Sequence, residues 1–378
     1  MINKKDVEIL APAGSMEAFL SAVHAGANAV FMGVNILNAR TMAKNFSVEE
    51  YIKCLEYAHL RGVKVYLTLN TLCEDNEIEE ALKIVEQLYL EGLDAVIVQD
   101  LGLGILLHEK FPSLALHAST QMSIYSKAQV KFLETLGFKR VVLARELTLN
   151  EIQDICSDTN MEIEVFVHGA LCVCLSGQCN MSALIGSRSA NKGSCAQPCR
   201  MKYTLLKDKE KIIEDRYLLS KKDIYGLNHV DDLVKAGVTS LKIEGRNRTP
   251  EYVAQAVIAY RKKVGGQALD KTEEKDLQQM FVRTSTSSGY LNGVEKGDSI
   301  SLLSPKNTGL YLGKIIAKNN RLVKLNLSED IYLHDGVETL NGKASTIVTC
   351  IKDENGNLLN DKVGLRRSVC VDWRYSWR

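Results

Sequence analysis

No run of about 18 consecutive apolar residues occurs in this 378-residue chain, which excludes a helix that crosses a bilayer. The opening "MINKKDVEILAPAG" lacks the apolar segment and small-residue cleavage site of a secretory signal, so the expected compartment is the cytoplasm, with no membrane partner. Net charge is nearly absent as well: 47 Lys and Arg stand against 46 Asp and Glu, giving +1. That balance neither requires nor forbids a nucleic-acid partner, which needs only a local basic patch. Low-complexity tracts are missing. So are the signatures of familiar hydrolases, because there is no G-x-S-x-G elbow and no H-E-x-x-H helix, and "LSGQC" lacks the context of an activated cysteine.

Cysteine, by contrast, is abundant and clustered. Five of ten fall between His168 and Arg200, in "HGALCVCLSGQCNMSALIGSRSANKGSCAQPCR". In a reducing cytoplasm such a cluster points to metal or redox chemistry rather than to disulfides.

The cluster's place follows from the strand pattern. Apolar, β-rich runs recur at "VEILAPAG", "NAVFMGV", "VKVYLTLN", "DAVIVQD", "LALHAS", "KRVVLAREL", "IEVFVHGA" and "TSLKIEGR". Helical patterns lie between most of them, at Met16 to Ala25, Val48 to Arg61, Ile78 to Glu91, Ser123 to Leu136 and Thr148 to Cys156, several closed by Gly26, Gly62, Gly92 or Gly137. Eight near-continuous apolar strands alternating with helices predict a parallel sheet closed into a (β/α)8 TIM-like barrel; an open doubly wound sheet is the alternative. The barrel is expected over 1–265, with a cysteine-rich insertion at about 169–223, a connecting segment at 266–299, and a small all-β domain of short strands and turn signals at 300–378. The ending "VDWRYSWR" reads as part of a longer protein.

Barrel enzymes build their active sites from the loops after the strands, and the loop after strand seven is far longer than the usual two to six or so residues. The cysteines therefore belong to the catalytic face. Their spacing is Cys172-x6-Cys179-x15-Cys195-x3-Cys199, with Cys174 an extra member. Four thiolates are the ligand set of an iron–sulfur cluster or a structural zinc, and the scarcity of short paired knuckles favours the cluster. The plainer alternative is that several are buried small hydrophobes. Lone histidines such as His108 and His117 read as core or surface residues.

"EVFVHGALCVCLSGQCNMS", "NKGSCAQPCRMKY", "LAPAGSMEAFLSAVHAGANAVFMG", "LARELTLNEI" and "SLKIEGRNRTPEYV" together resemble the collagenase-like peptidases, family U32, across about residues 7 to 300. The family takes its name from protease activity. The members this chain resembles imply another chemistry: oxygen-independent hydroxylation of a pyrimidine base in tRNA or ribosomal RNA, with a 4Fe–4S cluster and prephenate as hydroxyl donor. The resemblance assigns Cys172, Cys179 and Cys195 as cluster ligands and Cys199 as the fourth.

Other polar residues fall at strand ends. Arg145, Glu146, Glu164, His168 and Glu244 are the catalytic candidates, although Glu146 and Glu244 would equally suit an ion-pair layer inside a barrel. Arg40 and Arg145 suit an anionic donor, since a guanidinium grips a carboxylate with two hydrogen bonds. Gln121, Lys202, Tyr203 and Arg246 complete the substrate-binding set. Between Gly186 and Lys211, seven basic residues oppose two acidic ones, an RNA-binding patch with Tyr203 available to stack on a base, or else the solvated charge of a β-hairpin. A peptidase and a zinc-stabilised RNA-binding protein without catalysis are the competing functions.

Overall fold

Side chains that cap their own helices set the register of the chain. Ser47, Ser126 and Thr148 each accept a hydrogen bond from the first turn, while Glu50, Gln129 and Glu151 accept one from the backbone N–H of the cap residue. Gly26, Gly62, Gly92 and Gly137 end helices with positive φ, as their positions in the sequence suggest. In the computed structural model the described residues are 7–40, 43–293, 299–319, 322–340, 344–353, 357–359, 362–363 and 368–372. They form two units, 1–305 and 306–378.

The first unit alternates β1 (Glu8–Pro12), α1 (Met16–His24), β2 (Ala29–Met32), α2 (Val48–His59), β3 (Lys64–Leu69), α3 (Asp75–Leu90), β4 (Ala95–Val98), α4 (Leu101–Lys110), β5 (Ala115–Ala118), α5 (Lys127–Thr135), β6 (Arg140–Val142), α6 (Leu149–Cys156) and β7 (Glu162–Ala170). An insertion follows, with α7 (Met181–Gly186), a hairpin of β8 (Tyr203–Lys207) and β9 (Glu210–Arg216), and β10 (Asp223–Tyr225). After α8 (Val230–Ala236), strand β11 (Ser240–Ile243) pairs in parallel with both β1 and β7. That double pairing closes eight parallel strands into a barrel and disposes of the open-sheet alternative. Then come α9 (Pro250–Val264), α10 (Lys271–Met280) and β12 (Thr286–Ser287), which extends the sheet beside β10. Residues 266–299, read from sequence as a connector, thus carry α10 and β12 of the first unit.

Between strands and helices lies the main core, with Phe19, Leu67, Val96 and Tyr252 almost inaccessible. Inside the barrel, Leu10, Phe31, Tyr66 and Ile97 surround a layer of charges. Arg140 bonds Glu8, Glu162 (Nε–Oε2 2.7 Å) and Glu164 (3.1 Å), and Lys242 Nζ donates to Glu164 at 2.8 Å. Among the described residues no helix is long and apolar enough to cross a membrane.

The second unit is all β. β13 (Gly313–Asn319) pairs antiparallel with β14 (Leu322–Leu327), which pairs with Ser368–Asp372, itself beside Ile351–Lys352. Alternation along β14 buries Val323, Leu325 and Leu327 against Ile331, Val348 and Ile351.

Candidate active site

Loops at the C-terminal ends of the strands enclose a narrow cleft, with a free volume of only about 30 Å³. Arg40 enters after β2, Gln121 after β5 and Arg145 after β6; Phe166 comes from β7, Lys242 from β11, and Glu244 and Arg246 from the turn beyond it. Strand alternation explains the last three, since residues two apart share a face. Arg40 lies 3.4 Å from Glu244. Burial pushes the Glu244 carboxyl up, but Arg40, Arg246, Arg145 and Lys242 together hold it below its ordinary value.

Two cations in the cleft lack a carboxylate partner among the described residues. Arg246 donates to Asn38 Oδ1 at 2.6 Å and Thr68 Oγ1 at 3.0 Å, yet its Nε is buried and unbonded. Burial, then the neighbouring Arg40, push it down to about 9, which leaves it protonated at neutral pH. Arg145 lies over the Phe166 ring at 4.9 Å and donates to Ala170 O at 3.2 Å, and its Nε is likewise buried and unbonded. Unsatisfied guanidinium nitrogens on cleft-lining residues create a demand for an anion.

The cysteine insertion is stitched to this rim. Ser176 Oγ donates to Glu146 Oε1 at 3.0 Å and accepts from the Arg145 amide at 3.2 Å, and Ser123 Oγ donates to Ser176 O. Arg200 ties the insertion's two ends together, binding Leu171 O at 3.0 Å, Ser220 Oγ at 2.7 Å and Lys221 O. Within it, Cys199 is raised mainly by burial and lies close enough to Cys172, Cys195 and Cys179 to feel their charges. Cys174 is raised by burial and by Cys179 and Cys172. The Cys195 sulfur accepts from the Gln197 amide at 3.4 Å and the Ser182 hydroxyl at 3.8 Å, the surroundings that favour a thiolate ligand. Among the described residues, no three His, Cys, Asp or Glu side chains are drawn together as tightly as one metal ion requires. Nine of the ten cysteines, all five of the insertion among them, are free thiols.

Of the residues proposed from sequence, Arg40, Gln121, Arg145, Glu244 and Arg246 meet in the cleft, while in the insertion Cys199 feels the charges of Cys172, Cys179 and Cys195, and Cys174 those of Cys172 and Cys179. Glu164 does not reach the cleft; fully buried, it belongs to the charge layer inside the barrel. His168 turns outward. The register shifts between Lys242 and Ile243, leaving Val167 as an extra residue in β7, so His168 packs among the rings of Tyr225, Tyr252 and Tyr260. Glu146 holds Ser176 rather than lining the cleft. Tyr203 donates its hydroxyl to Pro198 O at 2.9 Å, and Lys202 lies at the base of the exposed hairpin, 5.9 Å from the Tyr217 ring.

The basic segment is also less free than its composition suggests. Arg200 is the internal tie just described, Lys192 pairs with Glu74 at 2.5 Å and Glu77 at 3.3 Å, and Lys211 pairs with Glu214 at 2.5 Å. Arg248, which would have extended it, is paired with Asp223 and stacked on Phe281. Asn38 and Thr68 carry no sequence signal, because nothing local marks a neutral residue that will meet an arginine 208 or 178 positions away, and Phe166 reads only as one more apolar strand residue.

Comparison with known proteins gives the chain its family. Residues 14–301 match Peptidase family U32. The chain is 36% identical to a 23S rRNA 5-hydroxycytidine synthase of Escherichia coli over 90% of its own length and 53% of that protein. It is 36% identical to an uncharacterized protease of Methanocaldococcus jannaschii over 87% of its own length and 84% of that protein. With the tRNA hydroxylation protein P1 of Bacillus subtilis the identity is 35%, over 71% of this chain and 65% of that one. The chain thus spans from about half to most of the length of these relatives, and on these matches it belongs to Peptidase family U32.

Proposed function

We propose that this chain is an enzyme that replaces a ring C–H of a pyrimidine base in RNA with C–OH, without molecular oxygen, taking the hydroxyl from prephenate: the donor's C–O bond breaks, and the donor leaves reduced by the two electrons the base gives up, with the ring hydrogen in place of its hydroxyl. The observation that carries the reading is the pair of buried, unbonded guanidinium nitrogens of Arg145 and Arg246 in one cleft. A small dicarboxylate would satisfy both, with Arg40 held alongside by Glu244. Phe31 and Phe166 wall the cleft and keep water from the bound anion. Relatives named for hydroxylation of rRNA and tRNA support a base in RNA as the other substrate.

Cys172, Cys179, Cys195 and Cys199 would hold a 4Fe–4S cluster, which supplies one-electron chemistry when bound. The donor set is of the right chemistry: Cys199 stands near enough to Cys172, Cys179 and Cys195 to feel their charges, Cys195 already receives two hydrogen bonds at sulfur, and a bound cluster would draw the four thiols closer than they stand. Ser176 and Glu146 hold this loop against the Arg145 backbone, so the thiols and the anion site are fixed relative to one another.

The test is the RNA of a strain lacking the gene. Its nucleosides should lose one pyrimidine species that is heavier than its parent by one oxygen, restored by the wild-type gene. Arg145→Ala should restore little of it, because one charge-assisted contact of about 1.5–3 kcal/mol corresponds to roughly 10- to 100-fold in use of the donor. An unchanged nucleoside profile, alongside gelatin cleavage by the pure protein, would return the decision to a peptidase.

A further inference from the structure

Next to the cationic cleft is a second depression of about 880 Å³ whose lining carries no charge. Leu72, Leu101, Met122 and Phe132 supply apolar surface, and Gln99 and Gln121 supply carboxamides. Leu72 and Phe132 are 52% and 54% exposed and so present apolar surface to whatever enters the depression.

Gln99 is the informative member. It is only 8% exposed, and its Nε2 donates to the Gln121 backbone carbonyl at 3.3 Å. Only an N–H can face that carbonyl, so the partner fixes the orientation of the amide. Its Oε1 is then left buried with no hydrogen bond. An unmet acceptor costs about 1–3 kcal/mol, recovered when a ligand brings an N–H to it.

A neutral, planar ligand with a ring or exocyclic N–H and two apolar faces matches this lining. A charged ligand does not. Position narrows the choice further, because Gln121 lines both cavities and Gly177 and Gln178, immediately before Cys179, form part of the second. Whatever occupies it is held between the anion cleft and the cysteine loop.

We propose that this uncharged depression is the pocket for the target base, a pyrimidine turned out of the RNA strand, with Gln99 Oε1 accepting from its N–H edge and Phe132 stacking on its face. The assignment rests on the reading of the chain as an RNA-base hydroxylase, but it can fail separately. Uridine and cytidine, added to the anaerobically purified protein, are followed by ligand-observed NMR, with the arginine cleft intact throughout. Saturation should pass to at least one nucleoside in the wild type, and its affinity should fall about tenfold in Gln99→Leu, the equivalent of losing one buried hydrogen bond of roughly 1.4 kcal/mol. Phe132→Ala, at an exposed position that the fold does not need, should weaken it similarly, and both variants should lower the hydroxylated nucleoside in complemented cells.

Failure of either nucleoside to bind the wild type overturns the pocket assignment. So does full retention of binding and of hydroxylation in Phe132→Ala and Gln99→Leu, and that result leaves the hydroxylase reading standing. Pyrimidine binding that both variants lose, in a protein whose deletion changes no RNA nucleoside, keeps the pocket and removes the hydroxylase.

Discussion

A β-carbon on Gly177 would lie 2.1 Å from the backbone carbonyl oxygen of Gln121. Gly177 also has φ +75°, a conformation side chains resist. The cysteine loop can therefore reach the barrel rim at this point only because the residue has no side chain. Gly177→Ala should push the loop away, lowering RNA hydroxylation at least tenfold while the barrel keeps its circular dichroism. Gly186→Ala is the control, since nothing lies within 4 Å of a β-carbon there, and it should retain activity. Equal activity in the two variants would show that the contact does not matter.

Metal content tests the thiols individually. Purified without oxygen, the protein should be brown and carry about four irons and matching sulfide per chain, as a four-thiolate cubane requires. Ala at Cys172, Cys179 or Cys195 should remove the colour. Cys54→Ala should not, because Cys54 sits in the core with its sulfur 3.9 Å from that of Met16. If Cys199→Ala stays brown, Cys174, close to Cys172 and Cys179, becomes the fourth ligand. Stoichiometric zinc without sulfide would contradict the cluster.

Stability should decline in mild acid through His168. Burial, then the Arg248 charge, push it down to about 4, and the facing groups Tyr225, Tyr252 and Tyr260 offer no anion to offset this. Between about pH 6.5 and 4 the unfolded chain binds a proton that the folded chain refuses, so stability is lost as pH falls through that window. The loss is on the order of 3 kcal/mol. Denaturant unfolding at pH 7 and pH 5 should show it, and His168→Leu should flatten the difference.

Arg140 binds three carboxylates inside the barrel, two of them, Glu8 and Glu164, largely or wholly buried. Arg140→Met leaves those charges uncompensated. Removing one partner from a buried ion pair costs roughly 3–5 kcal/mol, to be read as a lower denaturant midpoint at unchanged slope. A change below about 1 kcal/mol would mean that the layer relaxes or takes up water instead.

All eight barrel strands were legible because parallel strands are buried on both faces and so read as apolar runs. α4 was not. Its sequence "LGLGILLHEK" shows no polar face of helical period and carries two early glycines, so local pattern gives no helix signal. The site was legible where charge sits at a strand end, as with Arg145, Glu244 and Arg246. It failed at His168, where a bulge reverses the facing that alternation implies, and at Glu164, whose partner Glu8–Arg140 pair is assembled from opposite ends of the barrel sequence. Gln99 carries no signal of its own, because its unmet carbonyl exists only once β4 and the Gln121 backbone are brought together.

One measurement bears most directly on the central claim. RNA from the deletion strain is incubated without air with the purified protein and prephenate labelled with oxygen-18 at its hydroxyl, then digested and weighed as nucleosides. The account predicts a single pyrimidine nucleoside that gains the heavy oxygen, with roughly 10- to 100-fold less formed by Arg145→Ala. A product carrying ordinary oxygen from water, or no oxidised nucleoside at all, would contradict it.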